Sequence, residues 1–316
     1  MTWKKFLSSV LLTGVLLSGS AGDAAKFSPP ELTAEFEQMD FMQLYPTYSW
    51  SPIVGTEFYS VQVVRVDTNQ IVRELKNSEA FNRVTDTTPF IEPGEYFWRV
   101  CVVDKRGRQL SDWSEKKFFT VTAPVEVAVL GDSISHGGAA YIPAGQLACQ
   151  WETYSPVPVK NLARSGDTTQ MMLARFESDV LPFAPKVLII FGGINDIRTG
   201  ATAEAVIANL QALRDKCIAN NITPVFCTLT SMNPDIMRSR GIPLTDGDWQ
   251  AQRERINAWI MQTPHFIDVA DALTDQQGYL AAHLTPDGLH PAQRGKMILG
   301  KIIGDYLTTS PLSRNV

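Results

Sequence analysis

The sequence predicts two folds in series: an all-β sandwich, then an α/β domain built on a parallel sheet. Three observations lead there. Within residues 28–122, short runs of alternating apolar and polar residues are separated by turn formers, with no helical period between them. Beyond a Thr-Ala-Pro joint at 122–124, near-continuous apolar runs alternate with amphipathic stretches, the pattern of a parallel sheet covered on both faces. The length, 316 residues at roughly 100–200 per domain, leaves room for two such units.

Ahead of both lies a segment of another kind. Met1-Thr-Trp-Lys4-Lys5 is a basic start, residues 6–17 form an apolar stretch of 12, and residues 18–25 are mostly small. This is the grammar of a secretory signal peptide, assigned to residues 1–25. The apolar stretch falls short of the ~20 residues that span a bilayer. No Cys stands near the cleavage region to carry a lipid. A secreted or periplasmic protein with no membrane span is expected.

In the first domain, 28–122, a short strand at 48–52 ends at a Pro. FYSVQVVRV (58–66) alternates over most of its length, GEYFWRVCVV (94–103) does so again, and KFFTV (117–121) closes the set. Trp50 and Trp98 are expected in the core, and Trp113 as a packing anchor at a strand end. In the second domain, 125–310, five apolar strands are expected at 125–130, 157–162, 186–191, 222–229 and 265–269. Helices are expected at about 168–180, 202–220, 247–262 and 291–308, with Pro291 in the first turn of the last. Such sheets place ligands at the carboxyl ends of their strands.

Composition narrows the function. The net charge of −5 and the lack of any Lys/Arg-rich run point away from nucleic acid and anionic membranes as partners. Four Cys are too few for a disulfide scaffold, and without a CxxC pair and with only four His a zinc site has no support.

Polar residues follow the first three strands of the second domain. Gly131-Asp132-Ser133 puts a hydroxyl at the crevice, although a Ser cap on a strand-to-helix turn reads the same way. Ser165-Gly166-Asp167 follows the second strand; Gly166 allows close backbone approach and can offer its N–H, while Asp167 or Thr168 can cap the next helix. Gly192-Gly193-Ile194-Asn195-Asp196 follows the third, where Asn195 brings an uncharged amide donor suited to an oxyanion or forms an Asx-turn. Near the end, Asp287-Gly-Leu-His290-Pro291 sets a carboxylate three residues before an imidazole. Of the four His (136, 265, 283, 290) only His290 has that partner.

Taken together and in this order, "GDS" at 131–133, "SGDTT" at 165–169, "GGIND" at 192–196 and "DGLHP" at 287–291 resemble the four blocks of the SGNH hydrolases, the GDSL esterase/lipase family. The resemblance covers about 185 residues. It implies a flavodoxin-like, three-layer α/β domain with a five-stranded parallel sheet. It also implies Ser133 as nucleophile, His290 as general base and Asp287 as its orienting acid. The oxyanion hole would be the N–H groups of Ser133 and Gly166 with the Asn195 amide. No metal and no organic cofactor is implied. The first domain, through its Trp50 segment and "YFWRVCVVDKRGRQLSDWSE", is similar to fibronectin type III or related immunoglobulin-like modules.

Substrate contacts are expected from His136, lining the crevice, and from Tyr141, Trp151 and Tyr154 in the long connection 137–156; the segment 231–247 is expected to rim the site. No long apolar lid is evident. The expected function is an exported serine esterase that removes small acyl groups, acetyl foremost, from carbohydrate. The alternative is a lipolytic esterase or thioesterase of lysophospholipase type, to which 161–196 is similar.

Overall fold

A computed structural model describes residues 25–56, 58–77, 82–138, 144–245, 247–310 and 312. The expected leader, 1–25, lies outside the described residues but for Ala25, as does Tyr141.

The amino-terminal half contains six strands: β1 (Thr47–Ser49), β2 (Phe58–Arg65), β3 (Ile71–Asn77), β4 (Arg83–Thr85), β5 (Gly94–Val103) and β6 (Lys117–Val121). They form a four-stranded antiparallel sheet, ordered β3-β2-β5-β6, and a two-stranded one, β1-β4. β2 and β5 pair along their length, with Val61 opposite Val100 and Val63 opposite Trp98. Alternation turns these residues to one face, where they are buried. Aromatic rings join the sheets: Tyr48 lies 5.2 Å from Trp98 and Trp50 5.0 Å from Tyr59, ring centre to ring centre. β3 and β4 were not expected from the sequence. β3 is a sheet edge whose residues are mostly half-exposed, so its apolar signal is diluted, and β4 is three residues long.

The second half builds a parallel sheet from β7 (Val127–Gly131), β8 (Lys160–Asn161), β9 (Val187–Phe191), β10 (Thr223–Cys227) and β11 (Phe266–Ile267), ordered β11-β10-β9-β7-β8. Every pair is parallel. β7 and β9 are buried throughout and β10 over its last three residues, because helices cover both faces. The edge strands β8 and β11 keep only two residues each, far shorter than their apolar runs. Chain order reverses between β7 and β9, and the ends of these two strands make the crevice.

The helices are α1 (Ser133–His136), α2 (Thr169–Ala174), α3 (Phe176–Asp179), α4 (Ile194–Arg198), α5 (Ala203–Ala219), α6 (Pro234–Ser239), α7 (Trp249–Ile260) and α8 (Gln293–Thr309). α5 shows the local logic: the Thr202 side chain caps it by accepting from Ala205 N, and Val206, Leu210, Leu213 and Cys217 bury one stripe. Two expectations are corrected. The helix expected over 168–180 is broken at Arg175, which leaves helical geometry while its side chain ties Asp167 to Asp179. Pro291 is outside the last helix: Ala292 is still extended and donates to Leu284 O at 2.7 Å, so α8 starts at Gln293.

The two halves share one continuous hydrophobic core. Residues 42–45 run along the β8 edge and weld them. Leu44 N donates to Asn161 O at 2.9 Å, and Lys160 Nζ to Met42 O at 2.5 Å. Tyr45 donates its phenol hydrogen to Asp179 Oδ2 at 2.6 Å.

Candidate active site

Ser133 is the first residue of α1, directly after β7, and Asp132 caps that helix by accepting from Ile134 N at 2.9 Å. Asp132 is buried, and burial lifts its carboxyl to about 7. His290 comes from the loop before α8. Its Nε2 lies 2.8 Å from Ser133 Oγ, and its Nδ1 2.7 Å from Asp287 Oδ2. A carboxylate only accepts, so Nδ1 carries the hydrogen and Nε2 presents a lone pair to the hydroxyl.

The Asp287–His290 loop is held from within. Asp287 Oδ1 accepts from Leu289 N at 3.0 Å and His290 N at 2.8 Å. Gly288 turns at φ +85°, where an added Cβ would come within 2.5 Å of Asn233 O, so only glycine fits. Asp287 is fully buried, which pushes its pKa up. The His290 ring and the backbone donors outweigh that and hold the carboxyl at about 2.

Two amide donors belong to residues that line the same cleft as Ser133. Gly166 adopts φ +88° beyond β8 with open space where a Cβ would be. Asn195, buried in α4, spends one amide hydrogen on Asp167 O at 3.0 Å and keeps a second. Asp167 is in turn gripped by Arg175 at 2.5 Å, and Asp196 accepts from the Thr169 hydroxyl at 2.6 Å and its N–H, so this loop is rigid. A hydroxyl, an imidazole and N–H donors in one cleft, with a buried carboxylate behind the imidazole, are equipment for acyl transfer.

The cleft measures about 720 Å³ and is lined from both halves of the chain. Ser133, Gly166, Asn195 and His290 line it, with Ile242 and Pro243 from the expected rim, 231–247, which also folds into α6. Across from them stand Tyr45, Thr47, Arg83, Thr85, Asp86 and Thr87 of the amino-terminal half. Nothing in the sequence flagged this wall, since contacts between distant segments leave no local period. Arg164 and Arg198 also line it and were missed, although each stands within three residues of an expected donor.

The other expected contacts divide. His136 reaches the cleft, but both ring nitrogens are engaged, Nδ1 with Ser165 Oγ at 2.8 Å and Nε2 with Tyr45 O at 2.7 Å. Its burial lowers its pKa to about 4, so the ring is neutral: Nε2–H donates to the carbonyl and Nδ1 accepts from Ser165. Trp151 is corrected: it is fully buried, donating to Ser135 Oγ at 3.1 Å behind the nucleophile turn. Tyr154 is corrected too. It is absent from the cleft lining and accepts from Gln293 at 3.2 Å beside α8. Cys217 and Cys227 are buried free thiols.

The model of the GDSL-like lipase/acylhydrolase family matches residues 129–298, more than half of the chain. No curated protein sequence matches. Similar solved structures include a GDSL-like lipase from Bacteroides thetaiotaomicron, 20% identical over 58% of this chain and 88% of that one, TM-score 0.47. A lipase/acylhydrolase from Enterococcus faecalis is 24% identical over 58% and 95%, TM-score 0.46. A catalytic mutant of an acetylxylan esterase from Geobacillus stearothermophilus is 21% identical over 58% and 94%, TM-score 0.44.

Proposed function

Since the chain belongs to the GDSL-like lipase/acylhydrolase family and is thereby a carboxylic ester hydrolase, we propose that Ser133, His290 and Asp287 carry the reaction and that the ester is a short acyl group, acetyl foremost, on carbohydrate. The observation behind the assignment of roles is the unbroken chain from Ser133 Oγ to His290 at 2.8 Å and on to Asp287 at 2.7 Å.

Ser133 Oγ attacks the carbonyl carbon as its proton passes to His290 Nε2. The oxyanion that forms is held by the N–H groups of Ser133 and Gly166 and the spare hydrogen of Asn195. Buried Asp287 stabilises the imidazolium. His290 then protonates the departing sugar oxygen, leaving an acyl-enzyme. Water then gives a proton to His290 as its oxygen bonds to the acyl carbon; the bond from that carbon to Ser133 Oγ breaks, His290 returns the proton to Oγ, and the free acid leaves.

What supports a short acyl group and a hydrated partner is the lining. Its aliphatic residues are Ala144, Ile242, Pro243 and Leu289, too few to sheathe a long chain. Thr47, Thr85 and Thr87 line the cleft; Thr85 and Thr87 are exposed, and the hydroxyls of Thr47 and Thr85 bond to each other at 2.9 Å. In this reading residues 28–122 form a fibronectin type III or immunoglobulin-like sandwich, residues 125–310 the hydrolase domain, and the leader exports both. The test is a chain-length series of 4-nitrophenyl esters beside acetylated oligosaccharides. Acetate release from the saccharides with a sharp fall beyond short aryl esters is expected. Preference for long acyl chains, with no sugar acetate cleaved, would transfer the assignment to the lipolytic or thioesterase alternative.

A further inference from the structure

Two arginines that line the cleft, Arg164 and Arg198, have no carboxylate within ion-pair distance among the described residues. The acidic residue among the described lining, Asp86, is already spent: its carboxylate holds Arg73 at 3.0 Å and Thr88 N at 2.9 Å. Buried Arg175 is clamped between Asp167 at 2.5 Å and Asp179 at 3.0 Å.

Arg198 is treated differently. Among the described residues no carboxylate lies within ion-pair distance of it. Its Nη1 donates to Pro243 O at 2.9 Å, its Nη2 lies 3.4 Å from Asn195 Oδ1, and its buried Nε has no partner. A guanidinium has five donors, so several of them are unspent beside the donor Asn195. Arg164, just ahead of Ser165 and Gly166, is exposed, lies 5.3 Å from the Tyr45 ring and likewise has no carboxylate partner among the described residues. Half-buried Arg198 lacks a counter-anion, a cost that an anion arriving with the substrate removes, and exposed Arg164 stands ready to share that anion.

Resting on the esterase reading above, we propose that the acylated saccharide itself bears an anionic group, carboxylate or phosphate, which Arg164 and Arg198 receive beside the scissile ester. The arginines set which ester is accepted; Ser133 and His290 cleave it.

The test compares acetate release, as kcat/KM, from the methyl O-acetyl glycosides of glucuronic acid and glucose and from O-acetyl glucose phosphate, on the full chain. The charged sugars are expected to be favoured about tenfold or more, the scale of one charge-assisted hydrogen bond. The advantage should shrink as salt is raised. The ratio of charged to neutral substrate should collapse toward one in Arg164→Ala and Arg198→Ala and invert in Arg164→Glu; Arg164→Lys should keep part of it. Whichever charged sugar leads identifies the anion. Equal rates for charged and neutral sugars in wild type overturn the proposal and leave the esterase reading standing. So does a uniform fall on all substrates in both variants, the result if the arginines only support the oxyanion. If no sugar acetate is cleaved, the saccharide reading falls, and anion recognition is decided by inhibition of 4-nitrophenyl acetate hydrolysis: glucuronate or phosphate inhibiting where glucose does not sustains it, and no difference overturns it.

Discussion

The two halves of the molecule bury apolar surface by different means. The antiparallel half packs large rings between its sheets, with Tyr48, Trp50, Tyr59, Phe90, Tyr96, Trp98 and Phe119 all buried. The parallel half packs branched aliphatics, such as Val127, Val129, Leu130, Ile189 and Ile190, beneath covering helices. Rings fill a wide gap with few residues and leave the sheet surfaces free. A doubly covered parallel sheet has no free face, so its chemistry is confined to strand ends, and there Ser133 and Asn195 lie. The comparison teaches a division of labour: the groups proposed to react all come from one half, and the other supplies part of the cleft wall.

The largest expected effect separates the halves at once. Ser133→Ala should lower hydrolysis of 4-nitrophenyl acetate by at least about 10⁴-fold with an unchanged melting curve. Trp98→Ala, in the other half, should act on stability instead and cost about 3–5 kcal/mol in urea unfolding. Because residues 42–45 weld the halves, activity and circular dichroism should be lost in one transition; two separated transitions would break the picture of a shared core.

Asn195→Ala should lower kcat about 10²–10³-fold with little change in KM if, as proposed, its second amide hydrogen meets the oxyanion. The smallest effect tests the seam itself. His136 titrates at about 4 in the folded chain and near 6.5 when unfolded. Between those values the unfolded chain binds the extra proton, so stability should fall as pH drops from about 6.5 to 4, by up to about 3 kcal/mol. His136→Gln should flatten that slope, read from urea midpoints across the range.

Much of the parallel half was legible in the sequence because continuous apolar runs and a stripe such as Val206–Leu210–Leu213 report burial directly. Edge strands were overextended, since an apolar run does not reveal where its hydrogen-bonding partner stops. The residues Ser133, Gly166, Asn195, Asp287 and His290, brought into one cleft by the fold, could be picked out because each sits in a short motif. Trp151 and Tyr154 misled: aromatics near a nucleophile in sequence can pack behind it, and Trp151 does. Tyr45 and β4 carried no signal, for their place beside the cleft depends on how two sheets meet.

The wall at Thr85 and Thr87, exposed and distant in sequence from every reacting group, has a consequence for descent. Mutations there can alter which molecules are admitted while the bond-breaking apparatus is left intact. Selection can thus reshape that wall without disturbing the residues at the strand ends.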